Sequence, residues 1–225
     1  MRASLRIAKD AASARERLGL DPEATTIVAM GGSQGARSIN EAVAALVTRR
    51  TLGDDRQVLH VSGERDFVYM QAEERTLAAG NRVRLVPYLD DPADAYAAAD
   101  VVIARAGAST LAELAVTGTP SILIPYPHAA DQHQAHNAAL FETAGAAVVI
   151  PDAGVDGDRL WWTLREVLEP DRNAALRRAA RSLAPRNAAA AIADRIDAAV
   201  FGAKGRTPTE VSRVSRGENA NEERP

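Results

Sequence analysis

One segment constrains the fold more than any other: an apolar run, a glycine-rich turn and a helical stretch follow one another directly. The run TTIVAM at Thr25–Met30 is rich in β-branched side chains, which favour a buried parallel strand. The turn GGSQGAR follows at 31–37, and residues 36–47 carry apolar side chains at helical spacing. A strand that enters a helix through such a turn begins a β-α-β unit, so the chain is expected to be α/β.

The same unit recurs along the chain. Further strands are predicted at 57–61, 82–86, 101–104, 121–124 and 147–150, and helices at 10–18, 66–78, 92–98, 109–116 and 132–144. After Pro151 only helices are predicted, at 157–168, 171–183 and 188–200. This alternation predicts a Rossmann-like, doubly wound parallel sheet with helices on both faces and a helical C-terminal extension.

Composition divides the chain into three parts. Residues 1–24 are predicted to be a linker and an entry helix, and residues 25–202 a ligand-binding α/β domain. Residues 203–225 contain few apolar side chains and many Gly, Pro, Ser, Arg and Glu residues. Such a segment cannot bury enough apolar area to offset the entropy of ordering, so a disordered tail is predicted.

Composition also excludes several functional classes. The chain has no cysteine, which removes thiol catalysis, disulfides and cysteine-ligated metals. Its net charge of -3 gives no electrostatic reason to expect nucleic acid as a partner. No secretory signal and no long apolar run are present, so a cytoplasmic location is expected.

The first candidate site is the glycine-rich turn after the first strand. Its backbone N–H groups, at Gly31, Gly32, Gln34 and Gly35, can approach an anion, and the following helix adds its positive N-terminal end. The turn lacks both the Walker lysine and the G-x-G-x-x-G dinucleotide pattern. A tight strand-to-helix turn also requires glycine, so a phosphate site and a purely structural turn both remain open.

The second candidate is RAGASTLAE at 105–113, after the predicted strand 101–104. Ala108, Ser109 and Thr110 are predicted to open a helix. Thr110 and Glu113 have the spacing of a capping box, in which Glu113 would bond the first amide of the helix. Alternatively, the Glu113 carboxylate accepts hydrogen bonds from the two hydroxyls of a ribose.

The third candidate is PYPHAADQHQAHN at 125–137, a polar loop that leads into a helix. It contains three histidines, His128, His133 and His136, together with Asp131, Gln132, Gln134 and Asn137. Zinc is one alternative, although the spacing matches no HExxH arrangement. Neutral amide and imidazole groups at a helix start suit sugar hydroxyls better, and a solvated loop remains the third interpretation.

These three loops, in this order, resemble the C-terminal half of the MurG family of glycosyltransferase family 28. The resemblance rests on GGSQGAR, on RxGAxTLAELAxxGxPSILIPYPHAADxHQxxNA and on the following AGAAVVI, and it extends to about residue 200. It implies the C-terminal domain of a GT-B glycosyltransferase that binds UDP-N-acetylglucosamine (UDP-GlcNAc). The family transfers GlcNAc to undecaprenyl-pyrophosphoryl-N-acetylmuramoyl-pentapeptide, converting lipid I to lipid II in peptidoglycan synthesis.

The resemblance also implies roles for individual residues. Arg2 matches the linker arginine near the donor, Ser33 would bond the diphosphate, and the backbone of Leu89 would contact the uracil edge. The residues that would wrap the nucleotide are Ala108, Ser109, Thr110, Leu111, Ala112 and Glu113, with Glu113 on the ribose. Gln134 would bond the GlcNAc ring, with His133 and Asn137 in secondary positions.

The resemblance implies an inverting transfer with neither metal nor cofactor, in which helix N-termini and Ser33 stabilise the departing UDP. The acceptor-binding half of the family has no counterpart here, so no catalytic residue is expected within the chain. The expected enzyme is therefore inactive without a missing N-terminal domain or partner chain, which would also attach it peripherally to the cytoplasmic face of the membrane. Two alternatives stay open: a nucleotide-sugar-binding module without catalysis, and another GT-B glycosyltransferase or an epimerase that uses a UDP-sugar.

Overall fold

The computed structural model describes residues 10–32, 35–74, 80–184, 193 and 195, and it forms one parallel sheet flanked by helices. The strands are β1 (Thr25–Met30), β2 (Arg56–Val61), β3 (Arg82–Val86), β4 (Val101–Ala104), β5 (Ser121–Leu123) and β6 (Ala147–Val149). The helices are α1 (Ala11–Arg17), α2 (Arg37–Arg49), α3 (Glu64–Glu74), α4 (Ala93–Ala98), α5 (Ala108–Thr117), α6 (His133–Thr143), α7 (Gly157–Val167) and α8 (Pro170–Ser182). Short 3-10 turns lie at Ala130–Gln132 and Asp152–Gly154.

All six strands are parallel, in the order β3-β2-β1-β4-β5-β6. The chain moves outward from β1 to β3, returns to the centre at β4, and then moves outward on the other side. The strand order therefore reverses between β1 and β4, where Met30 pairs with Ala104 at the carboxyl ends. Ligands of open α/β sheets bind beyond the carboxyl ends of the strands at such a reversal, so a ligand-binding site is expected at this edge.

The sheet separates two hydrophobic cores, and neighbouring residues of one strand contribute to opposite cores. In β1, Ile27 and Ala29 pack with α2 and α7 side chains on one face, whereas Val28 packs with α4, α5 and α6 side chains on the other. This alternation follows from the period of two along a strand, and both faces are apolar because helices cover both. The apolar run of β1 is thus typical of a central strand that helices cover on both faces.

The α/β prediction is confirmed, and all six predicted strands exist with ends within one residue of those expected. The helix predicted at 66–78 begins earlier, at Glu64, and its described part ends at Glu74. The described elements lie within the compact unit Met1–Ala184, separate from the unit Pro185–Pro225. The predicted helix at 188–200, apart from residues 193 and 195, and the predicted disordered tail at 203–225 lie outside the described residues.

None of the described helices combines the length and the apolar composition that are needed to cross a membrane.

Candidate functional site

A cavity of about 200 Å³ opens at the carboxyl edge of the sheet, beside the reversal point between β1 and β4. Its lining comes from the ends of β1 and β2, the loop after β3, helix α4 and the start of α5. The lining residues are Met30, Gly32, Val61, Tyr88, Leu89, Pro92, Tyr96, Ser109, Thr110 and Glu113. Five of the predicted site residues, Gly32, Leu89, Ser109, Thr110 and Glu113, are thereby brought to one cavity.

Glu113 provides the carboxylate of this cavity. Its side chain is partly buried, and its Oε2 accepts a hydrogen bond of 2.8 Å from the hydroxyl of Tyr96 on α4. Its Oε1 accepts no hydrogen bond from another described residue. An ionised carboxylate has about four acceptor positions, so the group keeps capacity for a ligand that donates hydrogen bonds.

The capping-box interpretation of Thr110 and Glu113 is wrong. Helix α5 begins at Ala108, its N-cap is Gly107, and no side chain caps it. Thr110 is therefore the third residue of the helix rather than its cap, and Glu113 lies in the second turn, beyond reach of the N-cap amide. The first N–H groups of α5 consequently remain open toward the cavity, where Ser109 and Thr110 lie.

The glycine-rich turn is packed closely at two of its glycines. A Cβ on Gly31 would lie 2.2 Å from the backbone nitrogen of Ala36, and a Cβ on Gly35 would lie 2.2 Å from the carbonyl oxygen of Ser62. Gly35 also has a φ of +76°, which side chains with a Cβ rarely adopt. Gly32 has a φ of +85°, but a Cβ at this position would have no heavy atom within 4 Å. Ser33 and Gln34 lie outside the described residues.

A buried hydrogen-bond network of His60, Asn40 and Ser62 supports this turn. His60 on β2 contacts the Oδ1 of Asn40 through Nε2 at 3.0 Å, and Asn40 donates from Nδ2 to the Ser62 carbonyl at 2.9 Å. Burial lowers the pKa of His60 from 6.5 to about 4, because the charged imidazolium would lose its hydration there. The neutral ring therefore donates to Asn40, and Asn40 holds the carbonyl against which Gly35 packs.

Arg105 joins three loops at the same edge. Its Nη1 donates to the carbonyl oxygens of Ile124 at 3.1 Å and Pro125 at 3.3 Å, and forms an ion pair with Asp152. Its Nη2 donates to the Ser38 hydroxyl at 2.9 Å, and that hydroxyl donates to Asp152 at 2.6 Å. The start of α2, the end of β5 and the turn after β6 are thus held by one largely buried guanidinium.

The loop between β5 and α6 places Gln134 beside Tyr126. The Oε1 of Gln134 accepts the Tyr126 backbone N–H at 3.0 Å, and its Nε2 donates no hydrogen bond to another described residue. His133 is exposed and its Nδ1 contacts the Ala130 carbonyl at 2.7 Å, while Asn137 donates to the Ala106 carbonyl at 3.1 Å. Asn137 therefore links α6 to the loop that precedes α5.

This loop enters α6 through two strained residues. Asp131 has a φ of 48° and Gln132 a φ of 51°, the two positive values among the described non-glycine residues. Each such residue costs about 1–3 kcal/mol, and strain of this kind concentrates at ligand sites. It lies directly before His133 and Gln134.

In the described part of the chain, no group of three His, Asp or Glu side chains is arranged so that it could hold a zinc ion or another metal. His128 instead packs edge-on against Tyr126, with ring centroids 5.6 Å apart.

The remaining predicted residues do not line the cavity. The Leu111 side chain is buried in the hydrophobic core beneath α5, and the cavity lining does not include Ala108, Ala112, Gly31 or Gly35. Any contact of Leu111 with a ligand would have to come from its backbone. Arg2 lies outside the described residues.

Sequence reasoning missed Tyr96, Tyr88 and the partners of Arg105. Tyr96 occurs in an alanine-rich helix that carries no recognisable motif, and Asp152 follows Arg105 by 47 residues. Tyr88 stood beside a predicted residue, Leu89, so proximity in sequence could have indicated it.

Comparisons with known proteins identify the family. The profile of the glycosyltransferase family 28 C-terminal domain matches residues 26–196. A UDP-N-acetylglucosamine–N-acetylmuramyl-(pentapeptide) pyrophosphoryl-undecaprenol N-acetylglucosamine transferase from Sorangium cellulosum is 46% identical over 172 residues, covering 76% of this chain and 42% of the relative. The enzyme of the same name from Moorella thermoacetica is 43% identical over 166 residues, covering 72% of this chain and 45% of that relative.

Solved structures show the same architecture. The crystal structure of Acinetobacter baumannii MurG superposes with a TM-score of 0.73 and 26% identity, covering 86% of this chain and 54% of that one. The C-terminal CMP-Kdo binding domain of WaaA from the same organism shares the fold at a TM-score of 0.56 and 14% identity, covering 76% of this chain and 94% of that domain.

The chain spans less than half the length of the two curated relatives described above. The match to the family profile, residues 26–196, contains nearly all of the described strands and helices. The chain belongs to glycosyltransferase family 28, as a C-terminal domain of the MurG type with a GT-B half-fold.

Proposed function

We propose that the chain binds UDP-GlcNAc as a glycosyl donor, with the nucleoside in the cavity at the carboxyl edge. The observation that carries the proposal is the position of Glu113. Its carboxylate forms part of the cavity wall, with one oxygen held by Tyr96 and the other open to a ligand. A ribose presents two adjacent hydroxyl donors, which suits such a carboxylate.

The diphosphate belongs, in this proposal, between the glycine-rich turn and the start of α5. Helix α2 begins after Ala36 and α5 after Gly107, and neither has a side-chain cap. Open N-terminal N–H groups attract anions, and each helix end contributes about 0.3–1 kcal/mol, or up to about 2 kcal/mol when partly buried. Ser33 and Arg2 remain predicted diphosphate and donor contacts.

The GlcNAc ring is assigned to the loop between β5 and α6. The side-chain amide of Gln134 is fixed through its oxygen and free to donate from its nitrogen, with His133 and Asn137 beside it. Glycosyl transfer changes no oxidation state, so the proposal needs no redox cofactor. The departing UDP gains negative charge, which the two helix ends are placed to stabilise without a metal.

We infer further that the complete enzyme transfers GlcNAc to undecaprenyl-pyrophosphoryl-MurNAc-pentapeptide, as the names of the curated relatives state for those proteins. The acceptor and the general base are assigned to the part of those relatives that this chain does not match. That part would place the enzyme at the cytoplasmic face of the membrane, while the described residues supply the donor half.

Calorimetric titration with UDP-GlcNAc, UDP-glucose and UDP-galactose tests the donor assignment. A dissociation constant below about 1 mM for UDP-GlcNAc, roughly -4 kcal/mol, with weaker binding of the other two sugars, is expected. Glu113→Ala and Gln134→Ala should each weaken UDP-GlcNAc binding about tenfold, because each removes a hydrogen-bonding group from the ligand.

Glu142→Ala and Gln71→Ala are matched controls, since both residues are exposed and neither lines the cavity. Wild-type affinity in both site variants would contradict the assignment. Equal affinity for UDP-galactose would contradict GlcNAc as the sugar and favour another reaction on a UDP-sugar.

A further inference from the structure

Among the described lining residues, only Glu113 carries a carboxylate, and Tyr96 holds it by a hydrogen bond. Its ring is buried, with only 3% of the residue exposed, and packs in the hydrophobic core that α4 and α5 share. Its hydroxyl donates to Oε2 of Glu113 at 2.8 Å, and both residues line the cavity. A buried ring fixes the direction of its hydroxyl, so the Glu113 carboxylate is held in one orientation.

A second set of polar contacts lies behind the same two residues. The Thr117 hydroxyl donates to the Glu113 carbonyl at 2.9 Å and shares a hydrogen bond of 2.7 Å with the Thr119 hydroxyl. The Thr119 hydroxyl in turn approaches the Tyr96 carbonyl at 3.5 Å. Helices α4 and α5 are thus joined directly by the Tyr96–Glu113 hydrogen bond at the cavity, while the Thr117–Thr119 hydrogen bond forms a polar link behind it.

The division between the two carboxylate oxygens has a chemical consequence. Oε2 already accepts from Tyr96, whereas Oε1 accepts from no other described residue, so Oε1 and the remaining lone pair of Oε2 face a ligand as a fixed pair of acceptors. Two adjacent hydroxyls on a sugar satisfy such a pair. A sugar that lacks one of them leaves a partly buried acceptor without a partner, which weakens its binding.

We propose that Tyr96 is a positioning residue that makes the site selective for a ribonucleoside diphosphate over its 2′-deoxy counterpart. The inference rests on the proposed function, because it requires that the Glu113 carboxylate contacts the ribose. It adds that the selectivity depends on the Tyr96 hydroxyl, which acts through the carboxylate by setting its direction.

Titration of the whole chain with UDP and 2′-deoxy-UDP tests this inference. The wild-type chain should bind UDP about tenfold or more tightly than 2′-deoxy-UDP. Tyr96→Phe keeps the buried ring and removes one oxygen, so the ratio of the two affinities should fall to about threefold or less. Glu113→Gln should bring that ratio close to one, because it removes the charged acceptor.

Two variants separate positioning from general loosening of the fold. Thr119→Val breaks the link behind the cavity and leaves the Tyr96 hydroxyl in place, so it should lower the midpoint of thermal unfolding and keep the wild-type ratio. Tyr69→Phe makes the same chemical change at a half-exposed tyrosine that does not line the cavity, and should change neither quantity.

A Tyr96→Phe chain that binds UDP and keeps the wild-type ratio overturns the inference and leaves the proposed function standing. The inference is equally overturned if Thr119→Val lowers the ratio as much as Tyr96→Phe does. A folded wild-type chain that binds neither UDP nor 2′-deoxy-UDP overturns the proposed function, and the inference with it.

Discussion

The two sides of the carboxyl edge are held in different ways. On the first side, formed by the described glycines of the turn, helix α4 and α5, close packing and buried or part-buried side-chain hydrogen bonds set the geometry. On the second side, the loop 125–132 before α6, Arg105 holds the first residues, whereas the end of the loop is exposed and strained. We call them the packed side and the open side.

The difference indicates how ligand binding is distributed. A packed side is already shaped before a ligand arrives, so little ordering entropy is lost on binding there. An open side with left-handed residues can adjust around a ligand, and stored strain can be relieved when it does. Substitutions that disturb the close packing of the packed side should therefore affect folding first, and those on the open side should affect binding more than folding.

The largest expected effect is on the packed side, at Gly35. Gly35→Ala would place a Cβ 2.2 Å from the Ser62 carbonyl oxygen at a φ of +76°, which combines a backbone clash with left-handed strain. We expect the free energy of unfolding to fall by about 4 kcal/mol, measured by urea denaturation.

Gly32→Ala is the matched control, because Gly32 has a similar φ of +85° and the new Cβ would have no heavy atom within 4 Å. It should lose only about 1 kcal/mol through the backbone conformation. Equal losses in the two variants would show that the close approach to Ser62 contributes nothing to the packed side.

The second effect is a pH dependence of the free energy of unfolding, which arises from His60 beside the same turn. Burial lowers the pKa of His60 to about 4 in the folded chain, against 6.5 in the unfolded one, so the unfolded chain binds more protons between these values. The stabilisation is complete above pH 6.5 and is lost as the pH falls toward 4, by about 3 kcal/mol in total.

Carboxylates also titrate in part of this range, so the contribution of His60 has to be isolated by difference. Urea denaturation at several pH values should show a steeper loss for the wild-type chain than for His60→Gln, which keeps an amide donor for Asn40. Parallel curves for the two proteins would contradict a neutral, buried His60 as the support of the packed side.

The two sides also differ in how far the sequence could predict them. Apolar runs indicated the central strands, since a strand covered on both faces needs apolar side chains at successive positions, as in β1. The edge strand β3 instead alternates exposed arginines, Arg82 and Arg84, with half-buried apolar side chains. The glycine turn and Glu113 were singled out by composition and spacing. The role of Glu113 was left open, because a capping box and a ligand-binding carboxylate share the same spacing.

What the sequence could not supply were contacts that depend on the strand order. Tyr96 meets Glu113 because α4 and α5 pack side by side on one face of the sheet, and Arg105 meets Asp152 because the loops after β4 and β6 converge. Nothing in the spacing of these residues indicates either pair. The left-handed backbone at Asp131 and Gln132 was equally hidden, since neither residue type requires it.

The smallest expected effect is on the open side, at Gln132. Its φ of 51° is strained for glutamine and unstrained for glycine, whereas glycine also gains entropy in the unfolded chain. These contributions are each about 1 kcal/mol and opposite in sign, so Gln132→Gly should change the free energy of unfolding by less than about 0.5 kcal/mol.

Ala135→Gly, three residues later inside α6, should lower the free energy of unfolding by about 1 kcal/mol, because there glycine relieves no strain. Urea denaturation of both variants measures the difference, and a loss at Gln132 as large as at Ala135 would mean that the entrance to α6 stores no strain. A near-neutral Gln132→Gly chain that binds UDP-GlcNAc more weakly would show that the strained backbone serves the ligand rather than the fold.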